Sequence, residues 1–180
     1  SLDDLRFGAK DRPQPAHRLD RDTSGCLALG RGPKGLKRLG RLFREGLVEK
    51  TYWAVVEGGP SDDAGVVDLP LLKVNDRSGW RIVPDPAGQP ARTRWRVLGR
   101  GAGRAWLEFR PETGRTHQVR VHAASLGCPI VGDPHYGAAP LDAPLALHAR
   151  ALAMPLYQDR PAVKIEAEPP AGMAGLLAEF

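Results

Sequence analysis

The alternation of apolar and polar positions predicts a sheet of short strands. Residues 26–30 form an apolar run that predicts a buried strand, and residues 48–57 carry bulk on both faces, which is typical of a central strand. Residues 91–98 also alternate, with arginines opposite a face of Thr93, Trp95 and Val97. A glycine-containing turn separates them from another apolar stretch at 105–110, so these two segments predict a β-hairpin.

Two segments have the spacing of helices. Residues 33–45 place apolar side chains on one stripe and basic side chains elsewhere, which predicts an amphipathic helix with a basic outer face that Gly46 ends. Residues 115–126 predict a second helix, which Gly127 ends. Short strands near Ile130, Leu147 and 164–167 and a helical turn after Gly172 complete the pattern. We therefore expect one α+β domain with a central, largely antiparallel (mixed) sheet flanked by a few helices.

Length and composition exclude several classes of protein. The 180 residues suffice for one domain with its own core, and no apolar run approaches the ~20 residues that span a bilayer. Cys26 and Cys128 lie far apart without C-x-x-C spacing, which supports neither a disulfide framework nor a zinc site. We expect a cytoplasmic protein with reduced thiols and no membrane contact.

The net charge of +5 is unevenly distributed along the chain. Residues 1–50 and 91–130 carry net charges of +5 and +6, whereas residues 51–90 and 131–180 each carry −3. Basic residues concentrated on part of a fold are typical of a protein that binds a polyanion such as nucleic acid. Charge alone is equally compatible with an arginine-rich, solvated surface.

The first cluster of candidate chemistry is residues 17–25, directly before the predicted buried strand. Asp20 stands between Arg18 and Arg21 and should stay ionised at neutral pH, so it could act as a nucleophile. The alternative is a structural Asp20 whose carboxylate accepts backbone N–H bonds in the following turn. Asp20 and Asp22 also form a D-x-D pair, but no third oxygen ligand follows at a suitable spacing, and we expect no metal site.

The second cluster is residues 113–122. On a helix that begins near Arg115, Thr116 and Arg120 would share a face, and Arg120 would be held by a rigid element. His117 and His122 are five residues apart and would not share a face. The chain contains no H-E-x-x-H, no G-x-S-x-G around Ser24 and no phosphate-cradling glycine motif, so we expect no cofactor.

Five segments in this order resemble the RluA-type family of RNA pseudouridine synthases. They extend the two clusters with a strand motif, a glycine-rich turn and a short late motif: His17-Arg18-Leu19-Asp20-x-x-Thr23-Ser24-Gly25, Glu49-Lys50-Thr51-Tyr52-Trp53-Ala54, Thr113 to His122, Gly132-Asp133-Pro134-x-Tyr136-Gly137 and Leu147-His148-Ala149. The resemblance runs from about residue 13 to the end.

The resemblance implies an isomerase that converts uridine to pseudouridine in ribosomal or transfer RNA without cofactor or essential metal. It implies catalytic roles for three residues: Asp20 as the essential aspartate, Tyr52 as the tyrosine that packs on the target base and takes part in proton removal, and Arg120 as an ion-pair partner of Asp20. It also implies RNA contacts for four more, Arg18, Thr23, Arg115 and His117, with Arg18 as the side chain that enters the RNA stack. Whether Asp20 acts as nucleophile at C1′ or base at C2′ stays open.

Residues 1–180 are expected to form a pseudouridine synthase catalytic domain that acts as a monomer. Family members usually carry an earlier strand and a Lys-Pro-x-Gly segment, and this chain reaches Asp20 too early to include them. Two alternatives stay open. One is a noncatalytic RNA-binding protein of the same fold, and the other is a carboxylate glycosidase that pairs Asp20 with Glu112 or Asp22.

Overall fold

The computed structural model describes residues 4–8, 10–76, 79–137 and 143–180. Its helices are a 3-10 turn at Asp4–Arg6, α1 (Pro33–Arg44), α2 (Gln118–Ser125) and α3 (Ala171–Leu177). Its strands are β1 (Gln14–Pro15), β2 (Ser24–Gly25), β3 (Leu29–Gly30), β4 (Glu49–Glu57), β5 (Ala64–Asp68), β6 (Leu71–Asp76), β7 (Gly79–Pro84), β8 (Arg92–Gly101), β9 (Arg104–Pro111), β10 (Leu147–Met154) and β11 (Val163–Glu166).

The main sheet has the order β11-β10-β4-β9-β8-β5, with all of these pairs antiparallel, and β2 adds a parallel pair to β10. Strand β4 lies in the interior of this sheet, and β8 and β9 form the expected hairpin. Two-stranded sheets of β1 with β3 and of β6 with β7 complete the fold. The expectation of a single α+β domain with a largely antiparallel, mixed sheet is confirmed.

The core has two large parts. Helices α2 and α3 cover one part, where Val55, Leu107 and Phe109 are fully buried. Helix α1 covers the other part, with Leu39 and Leu42 packed around the end of β10. Full burial of an apolar side chain of this size contributes about 1.5–3 kcal/mol. The stripe predicted for α1 is therefore its core face.

The strand predicted at residues 26–30 is wrong in part, because only residues 29–30 pair as a strand, and β2 lies just before the predicted run. The N–H of Cys26 donates to the carbonyl of Ala149 at 2.9 Å, and the N–H of Ala28 donates to Nε2 of His17 at 2.9 Å. These backbone groups are satisfied by the main chain of β10 and by a side chain rather than by one continuous ladder. The apolar run reflects burial of Cys26 and Ala28, not strand length.

Helix α2 begins three residues later than its spacing predicts. His117 has φ 54, a left-handed conformation that a helix interior excludes. The side chain of Gln118 instead organises the preceding turn, since its Oε1 accepts from the N–H of Arg115 at 2.9 Å and the hydroxyl of Thr113 at 2.7 Å. Thr116 therefore lies outside the helix, and the face it was expected to share with Arg120 does not form.

Candidate active site

A cleft of about 710 Å³ opens where α1, β4 and the start of α2 meet. This volume lies within the range of about 300–1,000 Å³ that is typical of small-ligand sites. Residues from both sequence clusters line it, together with the C-terminal half of α1. The lining includes Arg18, Asp20, Thr23, Arg44, Lys50, Tyr52, Glu112, Arg115 and Arg120. The fold thus brings together side chains that are up to about a hundred positions apart in sequence.

The loop that carries Asp20, residues 17–25, is attached to the fold at both ends. At its start, the ring of His17 stacks on Phe43 of α1 with ring centroids 4.2 Å apart. Burial lowers the pKa of His17, which keeps Nε2 unprotonated and able to accept from Ala28.

The end of the loop is held against β10. The hydroxyl of Ser24 lies 2.8 Å from Nδ1 of His148, whose Nε2 lies 2.9 Å from the carbonyl of Ala167. Gly25 adopts φ 114, and a Cβ there would lie 2.2 Å from the carbonyl oxygen of Ala149. Only glycine permits this close approach. Residues 24 and 25 therefore fix the position of the end of the loop against β10.

Asp20 is half-buried at the cleft wall. Its backbone carbonyl accepts from the N–H of Thr23 at 3.0 Å and closes the turn. The main chain of Asp20 therefore takes part in closing the turn. Thr23 also lines the cleft, and its Oγ1 is buried without a hydrogen-bond partner among the described residues.

Tyr52 lies in one row of the sheet with the end of the loop at residues 17–25. In the sheet register Tyr52 pairs with Phe109 on one side and Ala149 on the other, and Ala149 pairs in turn with Gly25. Adjacent strands lie about 4.8 Å apart, so this row places the loop end about 10 Å from the Tyr52 backbone. Burial, followed by the negative charge of Asp20, raises the pKa of Tyr52 to about 12. At neutral pH its phenol is therefore protonated.

Arg120 binds Asp133 rather than Asp20. Nε and Nη2 of Arg120 donate to the two carboxylate oxygens of Asp133 at 2.8 and 2.6 Å, and both side chains are buried. Burial alone would raise the pKa of Asp133, but the hydrogen bonds from Arg120 and from two backbone N–H groups hold it below its ordinary value. Asp20 acts on Arg120 as a nearby negative charge. The ion pair expected between Arg120 and Asp20 is thus replaced by a bidentate pair with the glycine-rich turn.

Lys50 is a cleft residue that the sequence motifs contained but gave no role. Its Nζ donates to the carbonyl of Thr113 at 2.8 Å, which joins β4 to the turn before α2. Burial and the positive charge of Arg115 lower the pKa of Lys50. A lysine a few positions after the end of a predicted helix and two before Tyr52 carries no distinguishing pattern, so only the fold shows its position.

The four residues expected to contact RNA divide into two groups. Arg18, Thr23 and Arg115 line the cleft, and the first and last of these are exposed. His117 does not belong to the lining. Its Nδ1 lies 2.9 Å from the hydroxyl of Tyr136, and its ring lies 5.1 Å from that of Trp80, beside β7.

Arginines of the β8–β9 hairpin are bound to carboxylates of β9 and the residue after it. Arg96 and Arg110 both contact Glu108, at 2.8 and 2.9 Å, and Arg92 and Arg94 both contact Glu112. Hydrogen bonding to Arg94 is the main cause that lowers the pKa of Glu112. A glycosidase acid must hold its proton near neutral pH, so Glu112 is unsuited to that role. Asp22, the other partner considered, is exposed and is not a lining residue.

The described residues contain neither a cluster of metal ligands nor a helix that could span a membrane. No group of three or more His, Cys, Asp or Glu side chains among these residues is arranged to hold a metal ion. No helix in that part of the chain is long and apolar enough to cross a membrane.

Comparison with known proteins agrees with the geometry. The profile of a family described as RNA pseudouridylate synthase matches residues 2–125. An uncharacterized RNA pseudouridine synthase of Zymomonas mobilis is 51% identical over 173 residues, which are 94% of this chain and 78% of that protein. Ribosomal large subunit pseudouridine synthase C of Vibrio cholerae is 41% identical over 149 residues, 77% of this chain and 47% of the relative. The chain thus spans less than half the length of that protein.

A solved structure shares the whole architecture. Human RNA Pseudouridylate Synthase Domain Containing 4 superimposes with a TM-score of 0.83 at 27% identity, over 99% of this chain and 79% of the human chain.

Proposed function

The chain belongs to the RNA pseudouridylate synthase family, and from this premise we propose that it isomerises uridine to pseudouridine in RNA with Asp20 as the essential carboxylate. The observation that carries the proposal is the meeting of Asp20, Tyr52 and Arg120 around one cleft. Residues 1–180 are proposed to act together as the catalytic domain.

The reaction is an internal rearrangement of the uridine, in which one bond to the ribose replaces another. The C1′–N1 bond breaks, the uracil turns, and a C5–C1′ bond forms. The hydrogen on C5 then leaves as a proton, and N1 gains a proton, so no oxidant or second substrate is required. Asp20 either attacks C1′ or removes a proton from C2′, and both routes need an ionised carboxylate next to the ribose.

Tyr52 is proposed to hold the detached uracil with its ring and to assist proton transfer with its hydroxyl. Because its pKa is about 12, the phenol can donate a hydrogen bond at neutral pH but cannot by itself serve as a ready base. Removal of the C5 proton by Tyr52 therefore requires a second acceptor for the phenolic proton. The carboxylate of Asp20, whose negative charge contributes to the raised pKa of Tyr52, is the proposed acceptor.

The substrate is proposed to be a structured RNA, either ribosomal or transfer RNA. Arg18, Arg44 and Arg115 surround the cleft with positive charge that suits phosphates, and an exposed Arg18 could replace the flipped base in the stack. Ribosomal RNA is favoured because the Vibrio relative is named for the large ribosomal subunit. His117 is proposed to act through Tyr136 rather than by touching the target base.

We propose a cytoplasmic site of action, which is supported by two buried, unpaired cysteines. Action as a monomer stays a prediction, and light scattering of the purified protein would test it.

The test of the proposed function is a map of pseudouridines in ribosomal and transfer RNA from cells with the intact gene, without it, and with Asp20→Asn. At least one site should disappear in the deletion strain, return with the wild-type gene and stay absent with Asp20→Asn. Identical maps in all three strains would contradict the proposal. A site that returns with Asp20→Asn would instead indicate that Asp20 is a structural turn residue.

A further inference from the structure

The outer face of α1 borders a second, more open depression, which we call the α1 groove. Four basic side chains of the helix line it, and the chain that follows β10 forms its other side. The lining is Lys34, Lys37, Arg38, Arg41, Leu42, Leu47, Pro155, Tyr157 and Gln158. Its volume of about 750 Å³ is similar to that of the catalytic cleft.

Tyr157 gives the α1 groove an aromatic surface between cations. Tyr157 is 50% exposed, so its ring is accessible from the groove. The guanidinium of Arg38 lies 5.7 Å from the ring centroid, and that of Arg160 lies 5.3 Å from it. An aromatic ring flanked by arginines is a platform on which an unpaired base can stack while the cations bind the adjoining phosphates.

The positive charge of the α1 groove is largely unneutralised. Within the described part of the chain, Lys34 and Lys37 have no carboxylate partner, whereas Arg41 faces Glu45 at 3.8 Å. That pair is solvent-exposed, with side-chain exposures of 61% and 50%, and such pairs contribute little. The arginines of β8 differ, because buried or shared carboxylates already occupy them.

The α1 groove and the catalytic cleft share a helix. Gly40 and Arg44 of α1 line the cleft, whereas Lys37 and Arg41 line the α1 groove. Lys34 and Arg44 are ten residues apart, about 15 Å along the helix axis. A strand that leaves the cleft near Arg44 can therefore continue along α1 into the groove, passing the carboxylate of Glu45, which faces Arg41.

We propose that the α1 groove binds a single-stranded segment of the RNA that flanks the target uridine. The inference rests on the proposed function, since it assumes an RNA substrate in the cleft. The lysines bind phosphates and Tyr157 stacks on one base. A single strand of RNA offers both a base for the ring and phosphates for the cations around it, so the observations favour RNA.

The test measures binding of a fluorescein-labelled 30-residue oligouridylate at a series of salt concentrations. Each phosphate contact on a single strand contributes about 0.7 to the slope of log Kd against log salt. Lys34→Gln combined with Lys37→Gln should therefore reduce the slope by about 1.4, and Lys37→Gln alone by about 0.7. Arg104→Gln is the matched control, because it removes one charge beside Glu57, at the opposite end of β4 from the cleft.

The second arm of the test concerns stacking. Tyr157→Ala should weaken 30-mer binding by about 5- to 150-fold, whereas Tyr157→Phe should bind like the wild type. Melting temperatures of all variants serve as the folding control. Unchanged slopes in the lysine variants together with wild-type affinity in Tyr157→Ala would overturn the proposal. The α1 groove would then be a surface for another partner, such as a protein.

Failure of the inference differs from failure of the proposed function. A wild-type protein that forms pseudouridine, but whose groove variants bind the 30-mer normally, contradicts only the α1 groove. A wild-type protein that forms no pseudouridine contradicts the proposed function, whatever the groove variants do.

Discussion

The guanidinium of Arg120 is presented to the cleft by its pair with Asp133. Both side chains are buried, so each depends on the other for compensation of its charge. The ring of Tyr136 lies 5.2 Å from the guanidinium and fixes its plane. The positive charge of Arg120 can therefore act on the carboxylate of Asp20 through space, without a hydrogen bond between the two side chains.

Arg120→Met should lower the free energy of unfolding by about 3–5 kcal/mol, because it leaves the Asp133 carboxylate buried and unpaired. Arg104→Met, which breaks an exposed pair with Glu57, should cost at most about 1 kcal/mol. Urea unfolding of both variants measures the difference.

The double change Arg120→Met and Asp133→Asn separates stability from activity. It should recover much of the lost stability, since no charge stays buried and the amide oxygen still accepts from the N–H groups of His135 and Tyr136, while pseudouridine formation stays lost. Recovery of activity would show that the charge of Arg120 has no part in the reaction.

Tyr52→Phe tests the two roles proposed for Tyr52. The ring that packs on uracil is kept, so the affinity for RNA should change little, while loss of the hydroxyl should slow the single-turnover rate about 10²- to 10⁴-fold. Tyr52→Leu should weaken both binding and rate. A Phe variant that melts early but reacts at the normal rate would make Tyr52 structural.

At the residue level, motif spacing was sufficient to find the catalytic candidates but not their partners. Asp20, Tyr52 and Arg120 stand in motifs with a fixed order, and the cleft contains all three. The partner of Arg120 depends on how the turn at residues 132–137 packs against α2, which no local pattern specifies. The RNA contact expected for His117 stays a prediction, because this residue lies outside the cleft lining and its Nδ1 lies 2.9 Å from the hydroxyl of Tyr136.

Among the elements, β10 is the strand that holds the catalytic loop. It pairs with β4, which carries Tyr52, and it also pairs with β2, which ends the loop. The loop and the tyrosine are thus fixed to the same strand.

Gly25→Ala should disrupt this arrangement. The added Cβ would lie 2.2 Å from the carbonyl oxygen of Ala149 at a φ of 114, so the loop must move away from β10 and activity should fall strongly. Gly35→Ala in α1 is the matched control, because a Cβ added there would have no other atom within 4 Å and alanine favours a helix by about 1 kcal/mol. Equal activities in the two variants would contradict the role assigned to β2.

Elements with a clear period were predictable, and short ones were not. The stripes of α1 and the alternation of β4 and β8 gave bounds within one or two residues, apart from the end of β8, which runs to Gly101. Strands β5, β6 and β7 were not predicted. They lie at the edge of the main sheet or in a separate two-stranded sheet, where one-sided burial leaves little pattern in five or six residues.

For the whole molecule, the charge pattern of the sequence overstated the basic surface of residues 91–130. That segment has many arginines, but the sheet register places several of them beside Glu108 and Glu112. The free cations of α1 were visible as a basic helix face, yet only the fold sets Tyr157 next to them. Net charge along a sequence therefore identifies the class of partner better than the site.

Stability should fall as the pH is lowered from about 7.5 to about 5. Burial lowers the pKa of His17, His117 and His122 below the ordinary 6.5, so the unfolded chain binds protons at higher pH than the folded chain. Their contribution is complete above pH 6.5 and is lost as the pH falls through the folded values. The pKa values of Glu108, Glu112 and Asp133 are also lowered, and the stability that these carboxylates contribute is lost only at lower pH. A constant free energy of unfolding over this interval would contradict the assigned histidine environments.

We propose that Asp20 is required for replacement of the C1′–N1 bond of uridine by a C1′–C5 bond. Formation of the C5–C1′ bond expels the C5 hydrogen, so RNA labelled with tritium at C5 of uridine must release tritium into water. Purified wild-type protein should release it in a single turnover, and Asp20→Asn, with an amide that is a poor nucleophile and base, should release almost none while binding the RNA normally. Tritium release by Asp20→Asn within about tenfold of the wild-type rate would contradict the account.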